Sequence, residues 1–203
     1  MKKLSVVIPA YNEEKRITAT LKNVDGYLEK QPYDYEIIVI DNNSKDRTSE
    51  VVKELEATVV QKSTVKLVTT PGKGAAVKEG LLKYCTGDIV MFMDADNATP
   101  ISEIEKFLPF FDQGYDVVIG SRYTEPDLVK VHQPLYRIVL SRMSNLLIQF
   151  LAVPGIKDTQ LGFKAFTADA AKSIFPLVTI IRWGFDMEVL TVARAKGYKI
   201  KEV

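Results

Sequence analysis

The sequence is short of several things, and each shortage narrows the field. It holds one cysteine, Cys85, so neither an intrachain disulfide nor a cysteine zinc cluster can form. A reducing compartment fits, and Cys85 reads as a small residue near a helix end. The one histidine, His132, falls in an expected loop and is left out of any site. Excess charge of either sign is missing: 27 basic against 26 acidic residues give a formal net charge of +1, which offers no bulk basis for nucleic-acid binding. No run of ~20 predominantly apolar residues free of charge exists, so no membrane-spanning helix is expected. The basic Met1-Lys2-Lys3 and apolar Leu4–Ile8 resemble a secretory leader, but the apolar run is ~5 long against the usual ~7–15. Pro9, Asn12 and Glu13 follow at once, and the segment reads as a strand.

What remains is an ordinary globular balance, 46% apolar and 26% charged over 203 residues, without repeats or low-complexity stretches. At ~100–200 residues per domain, a single large domain is expected. Short β-rich runs alternate with helical ones. Strands are expected at Leu4–Ile8, Glu36–Ile40, Val65–Val68, Asp88–Met93 and Asp116–Ile119. Between them, Ile17, Leu21, Val24 and Leu28 recur at helical steps in Glu13–Lys30. Further helices are expected from Asp46 or Thr48 to Ala57, over Ala75–Tyr84, and from Ser102 to Phe111. Strand–helix alternation implies an α/β fold with a mainly parallel sheet flanked by helices, and nearly continuous apolar strands fit a sheet covered on both faces.

In such a sheet ligands bind beyond the C-terminal strand ends. The polar residues gather there: Tyr11–Glu14, Asp41–Asp46, Lys73, Asp94–Asn97 and Arg122 follow successive strands. Asp94-Ala95-Asp96 sets two carboxylates at one strand end, where they can hold Mg²⁺ or Mn²⁺ beside a substrate phosphate, or serve only as a solvated Asp and a cap. Asp41 can accept from a nucleotide base or ribose, or build a turn with Asn42, Asn43 and Ser44. Gly72-Lys73-Gly74 can approach a phosphate, although its spacing matches neither a P-loop nor a dinucleotide fingerprint. Arg122 and Arg137 suit a second anion; Arg142 reads as solvated surface charge. Asp158, Asp186 and Glu188 are spare carboxylates that either work as base or acceptor ligand, or merely charge a helix's first turn. Trp183 either stacks on a sugar or packs in the core. After the loop Tyr123–Pro134, the helix Leu135–Leu151 carries one polar stripe of Arg137, Ser141, Asn145 and Gln149. Its other sides are apolar, which suits burial or a membrane interface.

Taken in order, Val6–Glu14, Ile40–Thr48, Gly72–Gly74 and Met93–Asp96 resemble the GT-A (Rossmann-like) glycosyltransferases of family 2. Gly120–Tyr123 and Asp158–Lys164 are similar to the branch that glycosylates dolichyl or other polyprenyl phosphates, the glucosyltransferases more than the mannose synthases. That resemblance implies inverting transfer of a hexose, glucose foremost, from a UDP-sugar to a polyprenyl phosphate, with Mg²⁺ or Mn²⁺. A sugar-hydroxyl acceptor, a GDP-mannose donor, or a module that only binds nucleotide sugars are the alternatives.

By the same resemblance Pro9, Tyr11, Glu13, Asp41, Lys73, Asp94 and Ala95 line the nucleotide-sugar pocket. Asp96, with Asp94, takes the cation, and Arg122 and Arg137 hold phosphate. The helix Leu135–Leu151 faces the membrane, placing the protein in the cytoplasm, peripheral at the cytosolic face of a membrane. Asn42 stands where many relatives carry an Asp, and Ala98 where mannose synthases carry a Gln cation ligand. Relatives run past the last strand, so a catalytic domain truncated at Val203 is expected.

Overall fold

A computed structural model describes residues 3–58, 62–68, 70–123 and 153–203. Arg137, Arg142, His132, most of the loop Tyr123–Pro134 and the helix Leu135–Leu151 lie outside these. The chain begins with β1 (Lys3–Ala10), α1 (Ile17–Leu28), β2 (Asp34–Asp41), α2 (Thr48–Thr58) and β3 (Ser63–Leu67). It continues through α3 (Lys73–Glu79), β4 (Ile89–Met93), α4 (Leu108–Asp112) and β5 (Val117–Ile119). After residue 153 come β6 (Phe163–Thr167), α5 (Ala168–Ile174), α6 (Phe185–Ala195) and β7 (Ile200–Glu202).

The sheet has seven strands in the order β3-β2-β1-β4-β6-β5-β7. β1 alternates between two cores. Leu4, Val6 and Ile8 join Ile17, Leu21, Val24 and Leu28 of α1 on one face. Val7 joins Ala76, Val77 and Leu81 on the other, with Phe92, Phe166, Phe175 and Phe185. Phe166 meets Phe175 edge-on at 5.3 Å, and Phe92 meets Phe185 at 5.6 Å. Each such buried ring removes enough apolar surface from water to contribute about 1.5–3 kcal/mol. Apolar residues on both sides of each central strand are what the continuous runs required.

Four strands pair in parallel around β1, as expected. β6 does not: it is antiparallel to both β4 and β5 and separates them. The sequence reading had no strand there. The chain leaves β5 at the C-terminal edge of the sheet and re-enters it from that same edge. Gly120 N–H donates to Phe163 O (3.0 Å) and Asp94 N–H to Gly162 O (3.1 Å). The segment preceding β6 is thereby carried to the ligand-binding edge.

Three helices differ from expectation. α1 begins at Ile17 rather than Glu13, because the Glu13 carbonyl first accepts from Arg16 and Ile17 in a tight turn. Ala75–Tyr84 is α-helical only to Glu79 and then widens into a π turn, Gly80–Tyr84, with Gly80 pressed on Val7 and Ile40. Ile101–Lys106 is a 3₁₀ segment, and the α-helix restarts at Leu108, where Pro109 in the first turn needs no intrahelical partner. Cys85 follows the π turn, and burial pushes its thiol up to about 12, an unreactive state at neutral pH.

Candidate functional site

The strand order reverses between β1 and β4: the chain steps outward from β1 through β2 to β3, then returns to β4 on the other side. A crevice opens at such a point because the connections diverge to opposite faces. Here it is a cleft of about 860 Å³, lined among others by Pro9 and Tyr11 at the end of β1 and by Asp94, Ala95 and Asp96 after β4.

The β1 and β2 ends are zipped into one rigid wall. Asn12, at φ +56°, turns its amide so that Oδ1 accepts from Lys45 N (2.8 Å), while its own N–H donates to Ser44 Oγ (3.0 Å). Glu13 N–H donates to Thr48 Oγ1 (2.8 Å), and Glu14 N–H to Asp46 Oδ2 (3.1 Å). Glu13 lines the cleft with its carboxylate held by Arg16 through two 2.7 Å bonds.

Asp41, expected in the nucleotide pocket, is 2% exposed at the end of β2, next to the cleft residues Asn42 and Asn43. Its Oδ1 accepts from Ser44 N (2.9 Å) and its Oδ2 from the Ser49 hydroxyl, so it builds the turn that carries Asn42 and Asn43 to the cleft. Asn42, the departure from relatives, has a reason of its own. Its Nδ2 donates to Thr70 O (2.7 Å) and its Oδ1 accepts from Gly72 N (2.7 Å). An ionised Asp accepts but cannot donate, so it would leave the Thr70 carbonyl without this bond.

The glycines of Gly72-Lys73-Gly74 serve packing. Gly72 sits at φ +129°, and a β-carbon on it would fall 2.1 Å from Ile181 O. Their bareness lets the segment before α6 lie against the turn, with Ala75 N–H donating to Ile181 O (3.1 Å). Lys73 does reach the cleft, where it pairs with Asp94 Oδ1 at 2.5 Å.

Asp94 and Asp96 are both accessible. Asp96 Oδ1 accepts from Ala98 N (3.0 Å), the hydrogen bond of a short side-chain turn. Among the described residues no group of three or more His, Cys, Asp or Glu side chains gathers to hold a metal. Two carboxylates fit a hard divalent cation that completes its shell with water and substrate phosphate. Asp94 and Asp96 are therefore the residues able to hold Mg²⁺ or Mn²⁺, and Ala98 adds no side-chain oxygen. Ala95, between them, is fixed through its carbonyl, which accepts from the buried Thr20 hydroxyl at 2.6 Å.

Arg122 faces the cleft after β5, about half-exposed, gripped by a carboxylate that is 1% exposed. Its Nε donates to Asp158 Oδ2 (2.7 Å) and its NH2 to Oδ1 (3.0 Å). The backbone N–H groups of Arg122, Gln160 and Leu161 donate to the same carboxylate. Burial alone would push the Asp158 carboxyl up; the Arg122 guanidinium and these backbone donors more than offset that and hold it below the usual carboxylate range. Asp158, weighed as a base or acceptor ligand, thus accepts from five donors, and its carboxylate fixes the orientation of Arg122. Glu202, at the end of β7, in turn receives Lys157 N and Asp158 N.

Asp186 does line the cleft. It lies in the first turn of α6, where Oδ1 accepts from Lys164 Nζ at 2.7 Å. Lys164 is fully buried in β6 and also donates to Leu161 O (2.6 Å). Trp183 is neither packed in the core nor hidden: it is 89% exposed at the cleft's lip beside Arg182. Arg182, Gln160, Arg16 and Lys45 are cleft residues the sequence reading did not single out. Of these, Lys45 and Gln160 stood inside quoted motifs.

The sequence profile of glycosyl transferase family 2 matches residues 5–175. A dolichyl-phosphate beta-glucosyltransferase of Trichomonas vaginalis is 40% identical over 98% of this chain and 64% of its own length. The human dolichyl-phosphate beta-glucosyltransferase is 36% identical over 100% of this chain and 66% of its own. The chain thus spans about two thirds of the length of these curated relatives. Among solved structures, a glucosyl-3-phosphoglycerate synthase from Mycobacterium tuberculosis in complex with uridine diphosphate superposes with a TM-score of 0.72 at 21% identity, over 100% of this chain and 69% of that one. The same enzyme with Mn²⁺, uridine diphosphate and glucosyl-3-phosphoglycerate gives 0.69 at 22% identity, again over 100% and 69%. The fold is the GT-A arrangement expected from the motifs, and with a paired-aspartate strand end beside a nucleotide-sized crevice, the chain belongs to glycosyl transferase family 2.

Proposed function

We propose that the chain is an inverting hexosyltransferase that moves glucose from UDP-glucose to a polyprenyl phosphate. The donor would lie in the cleft between the Pro9–Glu13 wall and Asp94-Ala95-Asp96, with Lys73 beside its diphosphate. Asp94 and Asp96 would hold Mg²⁺ or Mn²⁺, which when bound offsets the negative charge growing on the departing nucleoside diphosphate.

The observation that carries this reading is the Arg122–Asp158 pair. A hydroxyl acceptor must lose a proton, and the first carboxylate available for that is spent on five donors. A phosphate monoester is anionic already and needs no base. It needs a cation held at a fixed angle, and Asp158 holds Arg122 so. Arg137 is assigned to the same acceptor phosphate. Asp186, paired with Lys164, is assigned to donor or acceptor contact rather than to proton removal. Catalysis then consists of aligning a phosphate oxygen opposite the leaving diphosphate in a charge-matched cleft.

The relatives named as dolichyl-phosphate beta-glucosyltransferases support both sugar and acceptor class. A lipid acceptor would bring the protein to a membrane surface, at its cytosolic face. No helix among the described residues is long and apolar enough to cross a membrane. The test is a panel of UDP- and GDP-sugars with Mg²⁺ or Mn²⁺, with and without a short-chain polyprenyl phosphate, reading diphosphate release and lipid-linked sugar. Release from UDP-glucose that depends on the polyprenyl phosphate supports the reading; transfer to a saccharide hydroxyl instead overturns it.

A further inference from the structure

Four of the seven residues from Leu177 to Trp183 are large, apolar and exposed: Leu177 (53%), Ile180 (42%), Ile181 (40%) and Trp183 (89%). Folding does not require that exposure, since the backbone between them is tied down from beneath. Glu188 accepts from Thr179 N (2.9 Å), Thr179 Oγ1 (2.7 Å) and Ile180 N (2.7 Å). Lys78 Nζ donates to the carbonyls of Pro176 (3.1 Å) and Val178 (2.8 Å), and the Ile181 carbonyl is taken by Ala75 N. Gly72 is bare where the Ile181 carbonyl presses on it.

Several of the loop's polar groups, the Thr179 and Ile180 N–H and the Val178 and Ile181 carbonyls, are satisfied inward while the greasy side chains stay in water. Each such pairing lowers the cost of taking the loop out of water, because an unpaired N–H or C=O is what an apolar medium penalises. Its composition suits one medium in particular. An indole prefers the boundary between lipid headgroups and acyl chains, and a neighbouring arginine can keep its guanidinium among the phosphates. Arg182 stands beside Trp183, and both belong to the cleft's lip.

We propose that Leu177–Trp183 is a membrane-interface anchor that seats the cleft's mouth on a lipid surface. The loop's position rests on the lipid-acceptor reading above; its chemistry does not. An acceptor whose phosphate lies near Arg122 would pass its chain out over this lip and into the bilayer without crossing water.

Trp183 is the sole tryptophan, so the unlabelled protein reports on the loop directly. The probe is a titration with vesicles of phosphatidylcholine and phosphatidylglycerol with brominated acyl chains, containing no polyprenyl phosphate. The expected result is a blue-shifted and quenched Trp183 emission, with vesicle affinity roughly tenfold weaker or worse in Leu177→Ser/Ile180→Ser. Unshifted, unquenched emission from vesicle-bound protein overturns the proposal. So does undiminished affinity in the double variant. A blue shift that grows with protein concentration in the absence of lipid also overturns it, because a second copy would then cover the loop. Turnover of a short, water-soluble polyprenyl phosphate by the wild-type chain is measured separately. Its absence alongside an inserted Trp183 removes the acceptor reading and leaves the anchor standing.

Discussion

Gly162 lies directly beneath the Asp94 carboxylate: a β-carbon at position 162 would fall 2.3 Å from Asp94 Oδ2 and 2.4 Å from Oδ1. No rotation of a methyl group relieves that overlap, so any side chain there moves the carboxylate off the cleft wall. Gly162→Ala is expected to keep the fold and lose turnover by roughly a hundredfold, the scale of an ångström's misplacement. Circular dichroism alongside steady-state rates with UDP-glucose checks it; unchanged rates would mean that Asp94's position is immaterial.

Asp96 is exposed and, among the described residues, is hydrogen-bonded within its own turn by Ala98 N. Asp96→Ala is expected to leave the thermal midpoint close to wild type while abolishing cation-dependent turnover. Stripping divalent ions with a chelator should reproduce the loss in the wild-type chain, and adding Mn²⁺ should reverse it there but not in the variant. Robust turnover by Asp96→Ala would remove the cation from this position.

Breaking the grip on Arg122 should separate two effects. Asp158→Asn weakens the bond to Arg122 and turns two acceptor oxygens into one, so a stability loss of about 1–3 kcal/mol is expected in denaturant melts. Turnover should fall chiefly through a raised KM for the acceptor phosphate, with donor KM nearly steady. Arg122→Lys should raise the same KM, because an ammonium cannot engage both Asp158 oxygens as the planar guanidinium does. Equal changes in both KM values would contradict the assignment.

Acid should unfold the protein through carboxylates that the native state keeps ionised. The Asp158 carboxyl is held below its usual range against the opposing effect of burial. So is that of Glu188, by the N–H groups of Ile180 and Thr179. Each depressed carboxyl makes the unfolded chain bind more protons than the native one, so stability is complete above the ordinary value near pH 4 and is lost as pH falls through the native value. Melting temperatures should be flat from about pH 7 to 5 and drop below about pH 4, with the drop shallower in Asp158→Asn.

Lys164 and Asp186 form an ion pair within the core beneath the cleft, and Lys164 lies 5.5 Å over the Phe92 ring. Asp186→Ala strands a buried ammonium and should cost about 3–5 kcal/mol, whereas replacing both partners, Lys164→Met with Asp186→Leu, should restore most of that stability. Activity should not return in the double variant, because a cleft carboxylate is gone. Recovery of turnover together with stability would make the pair purely structural.

The expected strands that lie in the first 119 residues are all present, and the polar residues at their ends do converge on one cleft. That much is local: apolar runs, helical periodicity and turn residues carry it. β6 escaped because Phe-Lys-Ala-Phe-Thr, with lysine second, reads as an alternating half-buried strand or as nothing. In the sheet its lysine is sealed in and neutralised by Asp186, a partner 22 residues away. Asp158 was legible as a carboxylate but not as Arg122's clamp, since the pair spans 36 residues and depends on β6 entering backwards. Asn42 looked like a departure from pattern, and only the carbonyl of Thr70 explains it.

That backward entry leaves a lasting freedom. The chain departs at Gly120 and returns at Gly162, and the two ends are stitched to neighbouring points of one edge, Gly120 to Phe163 and Gly162 to Asp94. Whatever is threaded between such fixed posts can lengthen or shorten without shifting a strand, because closing a longer loop costs only ~0.6 kcal/mol per doubling. Asp94, Asp96 and the Pro9–Glu13 side of the cleft come before that excursion in the chain. On the proposed reading, a lineage of this design could exchange the intervening stretch, and with it the acceptor, while keeping the strand ends that would hold the donor.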